Sequence, residues 1–235
     1  MKKSKNTIHM KHHYRFIVLI SLVILVNCGS LQAQDKTYWS TGFEMLFSFA
    51  DIQQDGISKS SIIRWAPVFN VQTFFNYDAS KRFGLFTGIG VRNVGFIYDQ
   101  TDAIRKKHRT YNMGVPVGIK VGNFEKAFVY AGYEIEFPFI YKEKTFENDV
   151  KSKYTEWFSD RTPTVYHTVL IGVQLPRGVN VKFKYYLTGF FNQDFTEIDS
   201  GTGDPFKPYE NLDVNVFFFS IGFNLFRDKE LYFTD

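Results

Sequence analysis

His108 and His167 are the only two imidazoles beyond residue 33 of this 235-residue chain, so hydrolytic chemistry driven by histidine has to be built around one of them. A serine hydrolase needs a hydroxyl activated by a His, which an acidic group holds in place. His167 lies in the run Val165-Tyr166-His167-Thr168-Val169, and alternation sets it beside Val165, Val169 and Ile171. The position two residues on is Val169, which carries no nucleophile. The chain has no Gly-x-Ser-x-Gly elbow, no phosphate loop and no His/Cys spacing for a metal. Asp199-Ser200-Gly201-Thr202-Gly203-Asp204 lacks the regular acidic spacing and closing Glu of a calcium loop and reads as a polar turn. No catalytic residue, metal ligand or cofactor site is assigned, and none is expected.

The elements that carry these residues are strands. From Val214 to Phe226, Phe217, Phe219, Ile221, Phe223 and Leu225 share one face, with Ser220, Gly222 and Asn224 on the other. That is a period of two. Early in the chain Trp39, Phe43, Met45, Phe47 and Phe49 oppose Ser40, Gly42, Glu44 and Ser48. Met113, Val115, Val117, Ile119 and Val121 oppose Asn112, Gly114, Gly118 and Lys120 in the same way. An apolar face set against small, amide and charged residues suits a barrel whose outside meets lipid.

Strands are expected near Thr37–Ala50, Ser61–Tyr77, Arg82–Tyr98, Arg109–Val121, Ala127–Tyr141, Thr164–Leu175, Val179–Asn192 and Leu212–Phe226. The fold class is all-β, an eight-stranded antiparallel up-and-down transmembrane β-barrel. Short turns at Asp78–Lys81, Gly122–Lys126 and Pro176–Gly178 alternate with longer polar loops at Asp51–Ser60, Asp99–His108, Lys142–Pro163 and Gln193–Asn211. In outer-membrane barrels short turns face the periplasm, which would put both termini there. Pro67, Pro116 and Pro138 each remove a ladder donor and are expected to mark local curvature. A soluble lipocalin-like barrel is the rival, but rings on nearly every inward position would overfill so narrow an interior.

The N-terminus is consistent with export. Lys2, Lys3, Lys5, Lys11 and Arg15 precede the apolar run Phe16–Val26, and Leu31-Gln32-Ala33 ends in a small residue before Gln34. These are the parts of a secretory signal peptide, and the run is too short to span a bilayer as a helix. The expected division is a signal peptide over 1–33, an outer-membrane barrel over 34–226 and a periplasmic tail over 227–235. Removing 1–33 takes five of the 28 basic residues and none of the 24 acidic ones, leaving 23 against 24. A nucleic-acid partner therefore loses its electrostatic basis. Cys28, the only cysteine, either leaves with the leader or is acylated as a lipoprotein anchor, although Asn27 is not the small residue such a box carries.

Within the barrel, Glu44, Arg64, Arg92, Lys120, Glu134, Glu136, Lys182 and Lys184 fall on the inward face. An unpaired charge there would cost several kcal/mol, so these mixed signs are expected to form a salt-bridged plug rather than a diffusion pore. Trp39, Trp65, Tyr77, Tyr111, Tyr141 and His167 fall near strand ends, where amphipathic rings favour a membrane interface.

Across the mature region the chain resembles the small outer-membrane β-barrel proteins of Bacteroidota, including the PorT-like proteins. The resemblance is carried by Leu31-Gln32-Ala33-Gln34, by Phe83-Gly84-Leu85-Phe86-Thr87-Gly88-Ile89-Gly90-Val91 and by Phe219-Ser220-Ile221-Gly222-Phe223. Such barrels usually end in an aromatic assembly signal, whereas here Arg227–Asp235 follows Phe226. Some members are implied in type IX secretion, so the resemblance implies a noncatalytic module of an outer-membrane assembly. The expected partners are outer-membrane lipid and a protein complex reached through the loops. In the third loop Phe146, Tyr154, Trp157 and Phe158 either meet that partner or fold over the barrel mouth. The basic Arg105–Arg109 segment pairs with the acidic fourth loop or meets lipopolysaccharide phosphates. The alternative is a lipid-modifying enzyme of the lipid A deacylase or acyltransferase type. In those deacylases a similar outward His precedes the nucleophilic Ser by two positions, the place that Val169 holds here.

Overall fold

The computed structural model describes residues 36–148, 150–199 and 201–227. The expected signal peptide, Cys28 and the tail beyond Arg227 lie outside the described residues. Fourteen strands are described: β1 (Thr37–Gln54), β2 (Ile57–Lys59), β3 (Ser61–Ile62), β4 (Arg64–Ala66), β5 (Val71–Tyr77), β6 (Phe83–Thr101) and β7 (Ile104–Asn123), followed by β8 (Ala127–Glu147), β9 (Val150–Trp157), β10 (Tyr166–Gln174), β11 (Val179–Tyr186), β12 (Glu197–Ile198), β13 (Pro205–Phe206) and β14 (Leu212–Arg227).

They form an antiparallel barrel of eight staves, in which β2 to β5 together make the second stave and the others are β1, β6, β7, β8, β10, β11 and β14. The ring closes because β10 pairs with β8, β11 with β14, and β14 with β1 in a ladder from Ser40 and Arg227 to Gln54 and Leu212. Each stave neighbours its predecessor in sequence, the up-and-down order expected from alternation and tight turns. Both described ends lie at one rim, where Ser80 Oγ accepts from the backbone N–H of Phe83 at 3.0 Å and Asn123 Oδ1 from that of Glu125 at 3.0 Å.

At the opposite rim the expected loops are largely strand. β1 and β2 join through Asp55-Gly56, both at positive φ (52° and 75°), a two-residue turn that suits the right-handed twist of a hairpin. β6 and β7 stay paired out to Thr101 and Ile104, and β8 folds back on β9 from Glu147 and Val150 to Ile140 and Trp157. Backbone ladders persist here, while neither face meets a continuous apolar environment. The hydrophobic alternation therefore fades before the strands do.

The second stave is broken at Pro67–Asn70, with Phe69 at φ 62°. Pro67 cannot donate to a ladder, as expected from sequence. Pro138 also acts as expected, lying beside a bulge in β8: Tyr111 pairs with Ile140 and Asn112 with Pro138, which leaves Phe139 over. Pro116 keeps its place in the ladder to β8, opposite Glu134, while on its other side the β6–β7 ladder skips from Thr87 and Val117 to Gly90 and Gly114, with no pair at Pro116.

The outer surface carries a continuous apolar band. Along β7 the residues Met113, Val115, Val117, Ile119 and Val121 are all exposed. Leu85, Ile89 and Val91 continue the band on β6, and Val169, Ile171 and Val173 on β10. Inside, Phe86, Tyr130 and Leu170 pack near the terminal rim, and a larger cluster that includes Leu46, Phe96, Tyr166 and Phe218 fills the hairpin half. Phe190 and Phe191, expected at the end of a strand, instead follow β11 as a buried aromatic plug, with Phe190 edge-on to Phe96 at 5.1 Å. The rival arrangement, with rings inside and charges outside, is not what the chain adopts.

Candidate functional site

All eight charges expected on the inward face are buried, from Glu134, Glu136 and Lys184 with no exposure to Arg64 at 2%. Six of them form one network. Arg92 Nε donates to Glu44 Oε1 at 2.8 Å, and its Nη1 bonds to Glu134 and to Glu136 Oε1, the latter at 3.2 Å. Lys182 Nζ lies 2.7 Å from Glu44 Oε2, while Lys184 Nζ lies 2.7 Å from Glu134 Oε2 and also bonds Glu136. Three cations thus meet three carboxylates, so the network is formally neutral.

Neutral partners complete it from the remaining staves. Gln72 Oε1 accepts from Arg92 and Lys182 at 3.1 Å each. Ser220 Oγ donates to Glu44 at 2.7 Å, Asn112 Nδ2 to Glu136 at 2.8 Å and Tyr186 O–H to Glu136 at 2.6 Å. On β10, Thr168 Oγ1 donates to the Glu134 carbonyl at 2.9 Å. Every stave therefore contributes a polar group at one level. A glycine is required beside it: a Cβ on Gly114 would overlap the Glu134 carboxylate and come within 3.1 Å of the Arg92 guanidinium. Alternation puts Asn112 and Ser220 on the polar face, while Gln72 and Tyr186 carry no sequence signal of their own beyond lying on the inward side near a charge.

Arg64 and Lys120 lie outside this network. Arg64 donates to the Asn93 carbonyl at 3.1 Å and to its side-chain oxygen at 2.5 Å. Lys120 sits toward the terminal rim, 2.6 Å from Asp78 Oδ1 and 2.8 Å from the Tyr38 hydroxyl. It borders a cavity of about 360 Å³ lined by rings that include Phe74, Phe86 and Phe128.

Of the six expected interfacial residues, Trp39 (50%), Trp65 (61%) and Tyr77 (36%) are exposed, His167 is exposed and Tyr111 is half-buried beneath Lys142. Tyr141 is a correction: it is 1% exposed and points inward. The extra residue at the Pro138 bulge moves every later β8 side chain to the other face, so Tyr141 joins the interior instead of the rim. There its hydroxyl meets His108 Nδ1 at 2.8 Å and donates to Glu143 Oε2 at 2.9 Å. His108 is itself buried within β7 rather than lying in a loop.

His167 bonds the Tyr133 hydroxyl and packs against its ring at 6.0 Å. Its backbone N–H donates to Thr188 Oγ1 at 2.9 Å. The described contacts bring no serine and no carboxylate to its imidazole.

Of the four third-loop residues, Tyr154 turns toward the barrel mouth, its ring centroid 6.3 Å from that of the inward-facing Tyr141. Tyr154 (41%), Trp157 (64%) and Phe158 (76%) are exposed on or just after β9, and Phe146 is half-buried with Lys151 Nζ 5.6 Å from its ring centroid. The basic second loop does not pair with the acidic fourth among the described residues. Arg105 Nε bonds Asp99 within its own hairpin at 2.7 Å, and Lys106 lies 3.6 Å from Glu143. Glu197 of the fourth loop takes Arg161 at 2.5 Å and Asp194 takes Lys207 at 3.1 Å. Burial alone would lower the Arg161 pKa, but its bonds to Glu197 and Tyr209 outweigh that and raise it above the usual arginine value.

Pairing and facing together define a closed, small, antiparallel β-barrel with an apolar outer band and an ion-paired interior. No protein-family model matches the chain, and no curated protein matches it. Among solved structures it is similar to Ail, the attachment invasion locus protein of Yersinia pestis, at 10% identity over 80% of this chain and 98% of that one, with a TM-score of 0.36. It is similar to Neisserial surface protein A at 9% identity over 79% and 97% of the two chains, with a TM-score of 0.39. The outer membrane protein OprG of Pseudomonas aeruginosa matches at 10% identity over 80% and 96%, with a TM-score of 0.37. Likenesses of this size say nothing about activity, ligand or partner, and the barrel assignment rests on the strand pairing itself.

Proposed function

We propose that this chain is a noncatalytic integral outer-membrane protein, a PorT-like barrel of the Bacteroidota type that anchors or assists an outer-membrane assembly, with protein secretion as the first candidate. The membrane reading is supported by the exposed apolar band, which spans Met113 to Val121 on β7; roughly 9–11 tilted residues suffice to cross a bilayer. The segment 1–33 serves as the export signal, Gln34 begins the mature protein, and the short-turn rim with both termini faces the periplasm.

The observation that carries the module reading is β9. It pairs with β8 on one side only and ends the strand order, while Val150 (71%), Trp157 (64%) and Phe158 (76%) stand exposed along and just beyond it. An open edge with aromatic anchors suits a protein that adds a strand there. One contact favours a second use of the same residues: Trp157 packs on Phe139 at 6.2 Å, which would make it part of the lipid rim.

The test is a pull-down of the tagged protein from outer membranes in mild detergent, with and without Trp157→Ala and Phe158→Ala. Stoichiometric partners lost in the variants support the module. Recovery of the barrel alone overturns it.

A further inference from the structure

Between the apolar band and the hairpin rim, three neighbouring strands turn a basic face to the outside of the barrel. His108 and Thr110 of β7 and Tyr141 of β8 are buried, so alternation directs Lys107, Arg109, Lys142 and Lys144 outward. Register gathers these charges. Lys107 stands opposite Lys144 and Lys144 opposite Lys153, which makes a lysine rung across β7, β8 and β9. Arg109 stands opposite Lys142 one rung nearer the band, and Lys151 opposite Phe146 one rung farther from it. Rungs on one face are about 7 Å apart.

Like charges directly opposite one another destabilise a sheet. Among the described residues none of these six cations makes a salt bridge, although Arg105, Lys106, Arg161 and Lys207 at the same rim each do. Lys142 and Lys151 meet only rings, those of Tyr111 at 5.0 Å and Phe146 at 5.6 Å. Lys107, Arg109, Lys142 and Lys144 are half-buried, so water and salt screen them less than they would free side chains. Burial, and then the charges of Arg64, Arg109, Lys144 and Lys151, lower the pKa of Lys107, in the hairpin extension of β7. Lys144 is lowered by burial and by Arg109, Lys151, Lys153 and Lys142. The face thus concentrates one sign of charge that this chain leaves unneutralised.

What lies next to the basic rungs selects the source of the anion. On the membrane side of Arg109 and Lys142 the next rung is Tyr111, Ile140 and Trp157, and the apolar band begins beyond it at Met113. A soluble polyanion gains nothing from that border. A lipid matches both parts, with its acyl chains along the band and its headgroup at the height of the cations. Ammonium and guanidinium groups bind phosphate through charge-assisted hydrogen bonds. We propose that the outward face of β7, β8 and β9 docks a phosphorylated lipid of the outer leaflet, its phosphate held by Lys107, Arg109, Lys142, Lys144 and Lys153.

The site rests on the outer-membrane reading and not on what the edge of β9 meets. Flotation of the full-length protein with phosphatidylcholine vesicles, whose headgroup has no net charge, tests that reading by itself. Native mass spectrometry in an uncharged detergent then tests the site with bisphosphorylated, monophosphorylated and dephosphorylated lipid A, and with heparin as a soluble polyanion. The phosphorylated lipids are expected to bind at least about tenfold more tightly than the dephosphorylated one, and to lose about tenfold in Lys107→Gln/Lys144→Gln/Lys153→Gln. Lys81→Gln/Arg82→Gln/Lys126→Gln, which removes as many exposed charges from the terminal rim, should bind as the parent does. Heat-modifiable mobility on gels verifies folding, and Lys153→Gln alone, exposed on β9, provides the test if the first triple variant does not fold, with a loss of about threefold. Equal binding of the three lipids, binding of heparin alone, equal losses in the two triple variants, or unchanged binding in a folded rung variant overturns the site while the membrane reading stands. Failure to float overturns both.

Discussion

Arg92 Nε and Glu44 Oε1 meet at 2.8 Å across the barrel interior, although 48 residues and the intervening second stave separate them. Both side chains are 1% exposed, and Arg92 also serves Glu134 and Glu136.

Arg92→Met leaves three carboxylates against two lysines in a site closed to water. A loss of about 3–5 kcal/mol is expected in urea unfolding followed by tryptophan fluorescence. Adding Glu134→Gln removes one stranded charge and should restore part of that loss. Arg105→Ala, in the half-exposed pair with Asp99, should leave the unfolding midpoint where it was.

The same network implies a closed lumen. Eight staves leave an interior that side chains fill, and here ionic and aromatic layers fill it in turn. Planar bilayers containing the protein should show no steady single-channel current. A stable open level would contradict the plug.

Val117 is 59% exposed near the middle of the apolar stretch of β7. If lipid covers that band, Val117→Arg should cost about 2–4 kcal/mol on folding into vesicles. Val150→Arg, at the tip of the β8–β9 hairpin, should cost nothing measurable. Equal effects at the two positions would place the band in water.

Tyr141→Phe separates the two possible faces of β8. With Tyr141 inside, the change removes its bonds to His108 and Glu143 and should destabilise by about 1–3 kcal/mol. On a lipid-facing rim the same substitution would be close to neutral.

Much of the barrel is legible without coordinates because strand alternation is local. Glu44, Lys120, Glu134 and Lys182 each sit between residues whose sidedness a neighbouring pair already sets, so the inward charges could be named one strand at a time. Trp39 and Trp65 could be placed outside by the same rule.

What alternation cannot carry is anything that depends on a single extra residue or on a partner several staves away. The bulge at Pro138 leaves composition unchanged, yet it reverses the facing of all that follows on β8 and turns Tyr141 from rim to core. Hairpins beyond the apolar band look like loops, because ladder bonds that join backbone to backbone leave no hydrophobic trace in the side chains.

By itself, then, the sequence determined the closed all-β architecture, the apolar outside and the identity of the eight inward charges, since each follows from the period of two within a strand. Only the tertiary structure decided that Arg92 joins Glu44, Glu134 and Glu136, and that Phe190 and Phe191 plug the hairpin half. Those are relations between staves, set by register and closure, and no local pattern encodes them.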